Sequence, residues 1–231
     1  MKQPRHIITA ILTLLATMGA FADKKPDWIN HERYAAANAE VMSSENRPVA
    51  VFIGNSITDF WFKKHPEIFT DNNYVCRGIS AQVTTQMLAR FRSDVIALRP
   101  EVVVILAGIN DIALNNGAIE LRHIADNIAS MTDLARWHGI TPIVCSVLPA
   151  AGFSWRQEIT DAPQQITELN RLLKKHCDDN NIIFVDYYSP MAVEGGAMDP
   201  RYSDDMVHPT VEGYSVMEPI VVKAIKCATN R

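Results

Sequence analysis

Val102-Val103-Val104-Ile105-Leu106 is an unbroken apolar run in which four of five residues are β-branched. A strand with one wet face alternates apolar and polar side chains, so a continuous run reads as a strand buried on both faces. Four more runs read the same way: Val49-Ala50-Val51-Phe52-Ile53, Tyr74-Val75-Cys76, Pro142-Ile143-Val144-Cys145 and Ile182-Ile183-Phe184-Val185. Between them lie amphipathic stretches. Residues 83–98 carry Met87, Leu88, Phe91, Val95 and Ile96 near i, i+4, i+8 spacing. Residues 118–137 carry Ile124, Ile128, Met131, Leu134 and Ala135, and Gly139 then supplies a helix terminator. Residues 162–177 and 211–227 complete the set, and a helix over about 31–42 is expected outside the sheet. Strands alternating with helices predict an α/β fold in three layers, with about five parallel strands and helices on both faces. Right-handed crossovers leave few topologies, of which a flavodoxin-like sheet is the simplest. The punctuated stretch 149–163 is expected to loop above the sheet.

The outer limits of the chain follow from composition. Lys2 and Arg5 precede an apolar stretch, and Ala20-Phe21-Ala22 then offers small residues at a cleavage site. That is the pattern of a secretory signal peptide over residues 1–22, which predicts a secreted or periplasmic protein. The apolar stretch is too short for a comfortable membrane span, so stable membrane insertion is not expected. No repeat or linker divides the remainder, which predicts one domain over 23–231. The formal net charge is −4, and losing Lys2 and Arg5 makes it more negative. An acidic chain without a basic cluster argues against nucleic acid as a partner. Of the four cysteines, Cys145 reads as a buried thiol, and Cys177 and Cys227 could pair if their helices are neighbours. A core of this size does not need a disulfide framework.

In open α/β sheets ligands bind beyond the carboxyl ends of the strands, where strand order reverses. The polar residues that follow each run are therefore candidates. They are Gly54-Asn55-Ser56-Ile57-Thr58-Asp59, then Arg77-Gly78-Ile79-Ser80-Ala81-Gln82, then Ala107-Gly108-Ile109-Asn110-Asp111. Before the last helix comes Asp204-Asp205-Met206-Val207-His208-Pro209. Each has a plain structural reading. Ser56 could cap the following helix, as could Asn110 or Asp111; Gly78 could only permit a tight turn. Asp205 and His208 could be a surface pair or two metal ligands, although no third and fourth ligand stand at a recognisable spacing. The other histidines, His31, His65, His123, His138 and His176, are expected to face solvent.

One rim receiving all four segments favours a single catalytic site. A serine hydroxyl is a weak nucleophile until a base removes its proton during attack. An imidazole titrates near neutrality, so His208 suits that role. Asp205, three residues earlier, would hold the ring tautomer and stabilise the imidazolium. The oxyanion needs preformed donors, and the Asn110 amide with backbone N–H groups at Ser56 and in residues 78–81 could supply them.

These blocks resemble those of SGNH/GDSL hydrolases. Gly54-Asn55-Ser56-Ile57 is similar to that family's Gly-Asp-Ser-Leu block, Gly108-Ile109-Asn110-Asp111 to its Gly-x-Asn-Asp block, and Asp205-Met206-Val207-His208 to its Asp-x-x-His block. The general appearance is similar to the branch containing platelet-activating-factor acetylhydrolases and bacterial carbohydrate acetylesterases. The resemblance implies ester hydrolysis through an acyl-serine intermediate at Ser56, without metal or organic cofactor. It also implies an oxyanion hole of Ser56, Ala81 and Asn110. Two positions depart from the pattern. Asn55 replaces an aspartate, and Ala81 stands where the family has glycine; if that position requires positive φ, alanine adds strain of about 1 kcal/mol.

Substrate-side candidates are Trp61, just after the nucleophile, Gly78, and Trp155 in the 149–163 loop beside Phe153 and Arg156. The aromatic rings could flank a pocket for sugar faces or acyl chains, or could simply pack the loop. No extended apolar lid is evident, which favours short acyl esters, acetyl groups on glycans among them, as the small-molecule or glycan substrate. An acyltransferase would use the same residues, and a catalytically silent glycan-binding module would keep only the fold.

Overall fold

The computed structural model describes residues 27–230, so the expected leader at 1–22 lies outside the described residues. In chain order the elements are α1 (Ala35–Ser43), β1 (Ala50–Gly54), α2 (Ser56–Lys64), α3 (Glu67–Thr70), β2 (Tyr74–Gly78), α4 (Thr84–Asp94) and β3 (Val102–Leu106). There follow α5 (Ile109–Ile112), α6 (Leu121–Trp137), β4 (Thr141–Cys145), α7 (Ala162–Asn180), β5 (Ile183–Val185), α8 (Tyr188–Met191) and α9 (Val211–Thr229). The five strands form one sheet in the order β2-β1-β3-β4-β5, and every pairing is parallel. This is the expected flavodoxin-like order, with its switch point between β1 and β3.

Burial explains the unbroken apolar runs. Every residue of β1 and β3 is buried, because both faces of the sheet are covered. On one face α4, α6 and α7 pack side by side. Ile166, Leu169, Leu173 and Cys177 form the inward stripe of α7, and Ile124, Ile128, Met131 and Ala135 that of α6. Each such large aliphatic side chain contributes roughly 1.5–3 kcal/mol when fully buried. The other face is covered by α2 and α9, which meet where Trp61 stacks on Tyr214 at 5.3 Å.

The terminator after α6 works as its sequence suggests. Gly139 adopts φ 71°, its N–H donates to Arg136 O, and Ile140 N–H reaches back to Ala135 O at 2.9 Å. That pair of bonds is a Schellman cap, which needs the left-handed conformation glycine adopts without cost. The stretch 83–98 is not one helix: α4 stops at Asp94 and a short 3-10 turn covers Ile96–Leu98. The 31–42 segment likewise begins as a 3-10 turn before α1.

One expectation about polar groups needs correction. His31, His123 and His138 are exposed, but His65 and His176 are partly buried. His65 Nδ1 lies 2.8 Å from Glu218 and His176 Nε2 lies 3.0 Å from Thr132 Oγ1, so both rings brace helix contacts. Cys177 and Cys227 are not paired: Cys177 is buried under α7 and Cys227 is exposed on α9. Cys145 is a buried thiol. Among the described residues no helix is long and apolar enough to cross a membrane.

Strand register sets up the site. Gly54 pairs with Gly78 on one side and with Leu106 on the other, so β1, β2 and β3 end level. The chain therefore delivers Asn55, Ile79 and Ala107 to the same edge.

Candidate active site

At the end of β1 it is Asn55, not Ser56, that caps α2: its Oδ1 accepts Ile57 N–H at 3.0 Å. Ser56 becomes the first helical residue, and its hydroxyl is released for another partner. That partner is His208, whose Nε2 lies 2.8 Å from Ser56 Oγ across 152 residues of sequence. The side-chain nitrogen of Asn55 is buried with no hydrogen-bond partner among the described residues.

His208 is aimed by a tight turn built on Asp205. Oδ1 of Asp205 accepts Val207 N–H at 3.0 Å and His208 N–H at 2.7 Å, an Asx-type arrangement that holds Met206 at φ 72°. Oδ2 is left for the ring and lies 2.6 Å from His208 Nδ1. With Nδ1–H donated to the carboxylate, Nε2 is the acceptor for the serine O–H. Burial on its own would raise the Asp205 carboxyl, but the bonds from His208 and Val207 outweigh it and hold it at about 2. The carboxylate is therefore charged across the working pH range.

Two residues not evident from sequence fix this turn onto α2. The Phe60 ring lies 5.0 Å from the His208 ring, and Lys64 Nζ donates to Pro209 O at 2.7 Å. Ser56, Phe60 and Lys64 follow i, i+4, i+8 spacing, so one helical face carries all three. That signal was present, but it becomes legible only once α2 is known to begin at Ser56.

The second half of the site is the turn after β2. Gln82 N–H donates to Ile79 O, which places Ala81 at the third turn position with φ 66°. That position in a type II turn ordinarily selects glycine. The condition for strain set by the sequence is thus met. Gly78, by contrast, neither bends the chain with positive φ nor lines a substrate pocket. A Cβ there would stand 2.3 Å from Asp59 N and 2.8 Å from Asn55 O, so the glycine lets α2 lie against β2.

Asn110, buried in α5, donates one amide hydrogen to Gln82 O at 3.0 Å. Its second amide hydrogen, the Ala81 N–H and the Ser56 N–H at the open start of α2 are the donors this rim can offer an oxyanion. Asp111 does not cap its own helix. Its carboxylate accepts Thr84 N–H and, at 2.6 Å, Thr84 Oγ1–H, closing the start of α4 instead.

Gln82 is held from below by Arg90, which is completely buried. Arg90 Nε donates to Gln82 Oε1 at 2.6 Å, and its other nitrogens reach Asp94 at 2.8 Å and Gly54 O at 3.0 Å. Sequence reading placed Gln82 on the rim without a role and missed Arg90. The available signal was a charged pair, Arg90 and Asp94, on the stripe that also carries Met87 and Phe91.

Trp61 is not a substrate wall. It is 1% exposed, packs edge-on against Phe52, and donates its indole N–H to Glu218. The reason is helical phase: Trp61 follows the buried Ile57 by four residues and shares its inward face. Trp155 is exposed, and its indole N–H donates to Asn115 Oδ1 at 3.0 Å. A groove of about 480 Å³ beside α7 and β5 includes none of Ser56, Asp205 and His208 in its lining. Among the described residues no cluster of three His, Cys, Asp or Glu side chains could hold a metal ion.

Residues 52–216 match the model of the GDSL-like lipase/acylhydrolase family. A GDSL-like lipase from Bacteroides thetaiotaomicron is 48% identical, with 87% of this chain and 98% of that chain covered and a TM-score of 0.83. A mutant of an acetylxylan esterase from Geobacillus stearothermophilus shares the fold at 18% identity, with 76% and 93% covered and a TM-score of 0.59. No curated protein matches the sequence. With the family model spanning most of the sheet and reaching from β1 into α9, this chain belongs to the GDSL-like lipase/acylhydrolase family.

Proposed function

We propose that this protein is a serine ester hydrolase acting on short acyl, above all acetyl, esters. The observation that carries the reading is the linked chain Ser56 Oγ–His208 Nε2 at 2.8 Å and His208 Nδ1–Asp205 Oδ2 at 2.6 Å. In the first step Ser56 Oγ attacks the ester carbonyl carbon while His208 Nε2 takes the hydroxyl proton. The carbonyl oxygen becomes an oxyanion, received by the N–H groups of Ser56 and Ala81 and the amide of Asn110. Asp205, already ionised, stabilises the imidazolium. Collapse breaks the bond to the alcohol oxygen, which leaves with the proton from Nε2, and the acyl group stays on Ser56. Water then repeats the sequence, giving its proton to Nε2 as it attacks, and the acid departs as Ser56 recovers its proton.

Every proton and charge in these steps is handled by side chains and backbone of this chain, so the mechanism calls for no cofactor. The leader pattern of residues 1–22 supports a secreted or periplasmic location as part of the same proposal.

The test is turnover of p-nitrophenyl acetate by wild type, Ser56→Ala and His208→Ala. Either substitution should cost about 10³-fold or more. Hydrolysis by Ser56→Ala at a wild-type rate would remove Ser56 as nucleophile. Product analysis with sugar acceptors present tells hydrolysis from acyl transfer, and free acid is the expected product.

A further inference from the structure

A cleft of about 390 Å³ opens directly on the turn that holds Ala81. Its floor is that turn, and its walls include Trp28 and Asn30 from the segment ahead of α1 and Asn115 and Asn116 beyond α5. The N-terminal wall is firmly attached. Gln82 Nε2 donates to Ile29 O at 2.7 Å and Gln86 Nε2 to Trp28 O at 2.6 Å. The wall is therefore bonded to the turn and to the first coil of α4.

Trp28, 49% exposed, lines this cleft, and Trp155, 42% exposed, stands outside the lining but is tied to it through Asn115. Each uses its N–H on one of two consecutive asparagines, Trp28 on Asn116 Oδ1 at 3.2 Å and Trp155 on Asn115 Oδ1 at 3.0 Å. Their polar tips are thereby held while much of the ring surface stays open to solvent. An indole held by its edge beside a cleft offers a flat apolar face to a ligand. The remaining lining is amide, hydroxyl and the Asp27 carboxylate, which already accepts the N–H groups of Ile29 and His31, with Ile79 as its one large aliphatic side chain and no lysine or arginine among the described residues. That chemistry does not suit a long acyl chain, which needs aliphatic walls, nor an anion, which needs cations. It suits a neutral ring with several hydroxyls, whose C–H face stacks on an indole and whose O–H groups exchange hydrogen bonds with amides.

We propose that this cleft binds a sugar ring of the ester substrate, with Trp28 as the stacking platform, Asn30, Asn115 and Asn116 as hydroxyl partners, and Trp155 as the outer flank. The inference rests on the esterase reading and names its substrate class. It is not implied by family membership, because Trp28 and Asn30 precede the residues matched by the family model.

The experiment compares wild type, Trp28→Ala and Trp137→Ala on p-nitrophenyl acetate and on partially O-acetylated xylo-, gluco- and galacto-oligosaccharides. Trp137 is an 85% exposed tryptophan on α6 that lies outside this cleft's lining, and it serves as the control. For at least one saccharide, Trp28→Ala should lower kcat/KM relative to that on p-nitrophenyl acetate tenfold or more, chiefly through KM, while Trp137→Ala should not. Equal ratios in wild type and Trp28→Ala on all three saccharides would overturn the proposal, as would failure of wild type to turn over any of them while it hydrolyses p-nitrophenyl acetate. Calorimetric titration of Ser56→Ala with the unacetylated oligosaccharides reads the cleft without chemistry. Binding there that disappears with Trp28→Ala supports the subsite even if Ser56 is not the nucleophile, and absence of binding counts against it.

Discussion

The Asn110 side-chain amide donates to the backbone carbonyl of Gln82 at 3.0 Å, so the donors at 81 and 110 share one frame. Arg90 and the Ile29 carbonyl fix the Gln82 side chain within that frame. Oxyanion binding depends on donors that need no rearrangement when charge develops.

Gln82→Met keeps the length of the side chain and removes both of its amide contacts. It leaves Arg90 Nε buried without its acceptor, which costs about 1–3 kcal/mol of stability. With Asn110 and Ala81 less firmly held, kcat on p-nitrophenyl acetate should fall about tenfold at nearly constant KM. A fall in denaturation midpoint with kcat intact would show Gln82 to be structural only.

Ala81→Gly removes a Cβ from a backbone at φ 66°. Relief of about 1–2 kcal/mol in the folded state is partly offset by about 0.4–1 kcal/mol of added freedom in the unfolded chain. Urea denaturation should show a gain between about 0 and 1.6 kcal/mol, and kcat should hold or rise. A tenfold loss of kcat in a folded variant would contradict the place of residue 81 in the oxyanion hole.

Asp205 keeps its charge down to about pH 2, so it adds no second step to the acid limb of the rate profile. With a single general base, kcat/KM should rise with pH with a limiting slope of one. Asp205→Asn should lower kcat by about 10³–10⁴-fold, since the amide no longer fixes the tautomer or balances the imidazolium. A wild-type limb of slope two would require a second titrating group.

Burial pushes the buried Asp111 carboxyl up to about 6, against the hydrogen bonds it accepts from Thr84. Between roughly pH 4 and 6 the folded protein therefore holds a proton at this site that the unfolded chain has lost. The stability contributed by the protonated form is complete below about pH 4 and is lost as pH rises through 6, by roughly 3 kcal/mol in all. Asp111→Asn should lack that slope. The measurement is the difference in unfolding free energy between the two proteins at pH 4 and pH 7, and an equal difference at both values would refute the assignment.

The sheet was legible because strands covered on both faces cannot hide their pattern: all five apolar runs became strands, in the simplest order. The four rim segments were legible for a related reason, since parallel topology sends every strand end to one edge. What sequence did not reveal depends on phase and on close approach. Trp61 turns inward because α2 starts at Ser56, one residue after the cap, and nothing in the composition of that segment marks the choice. Gly78 reads as a turn glycine until the backbone of α2 is seen against it. Arg90 lies on an apolar stripe, and only the packed core shows Gln82 and Gly54 waiting as its acceptors. Trp28 belongs to a segment without regular structure, and its place beside the site is created by contacts with residues more than fifty positions away.

The helix that begins with Ser56 and the turn that carries His208 come from opposite ends of the sequence and meet only when α9 lies against α2, as the bond from Tyr214 Oη to Ile57 O at 2.6 Å records. Joining the serine to the imidazole is consequently a long-range event that neither half of the polypeptide can complete alone. A chain lacking α9 would keep Ser56, Asp205 and His208 but lose the Tyr214 bond that seats one end of the polypeptide on the other, so turnover should report on whether that last helix is packed.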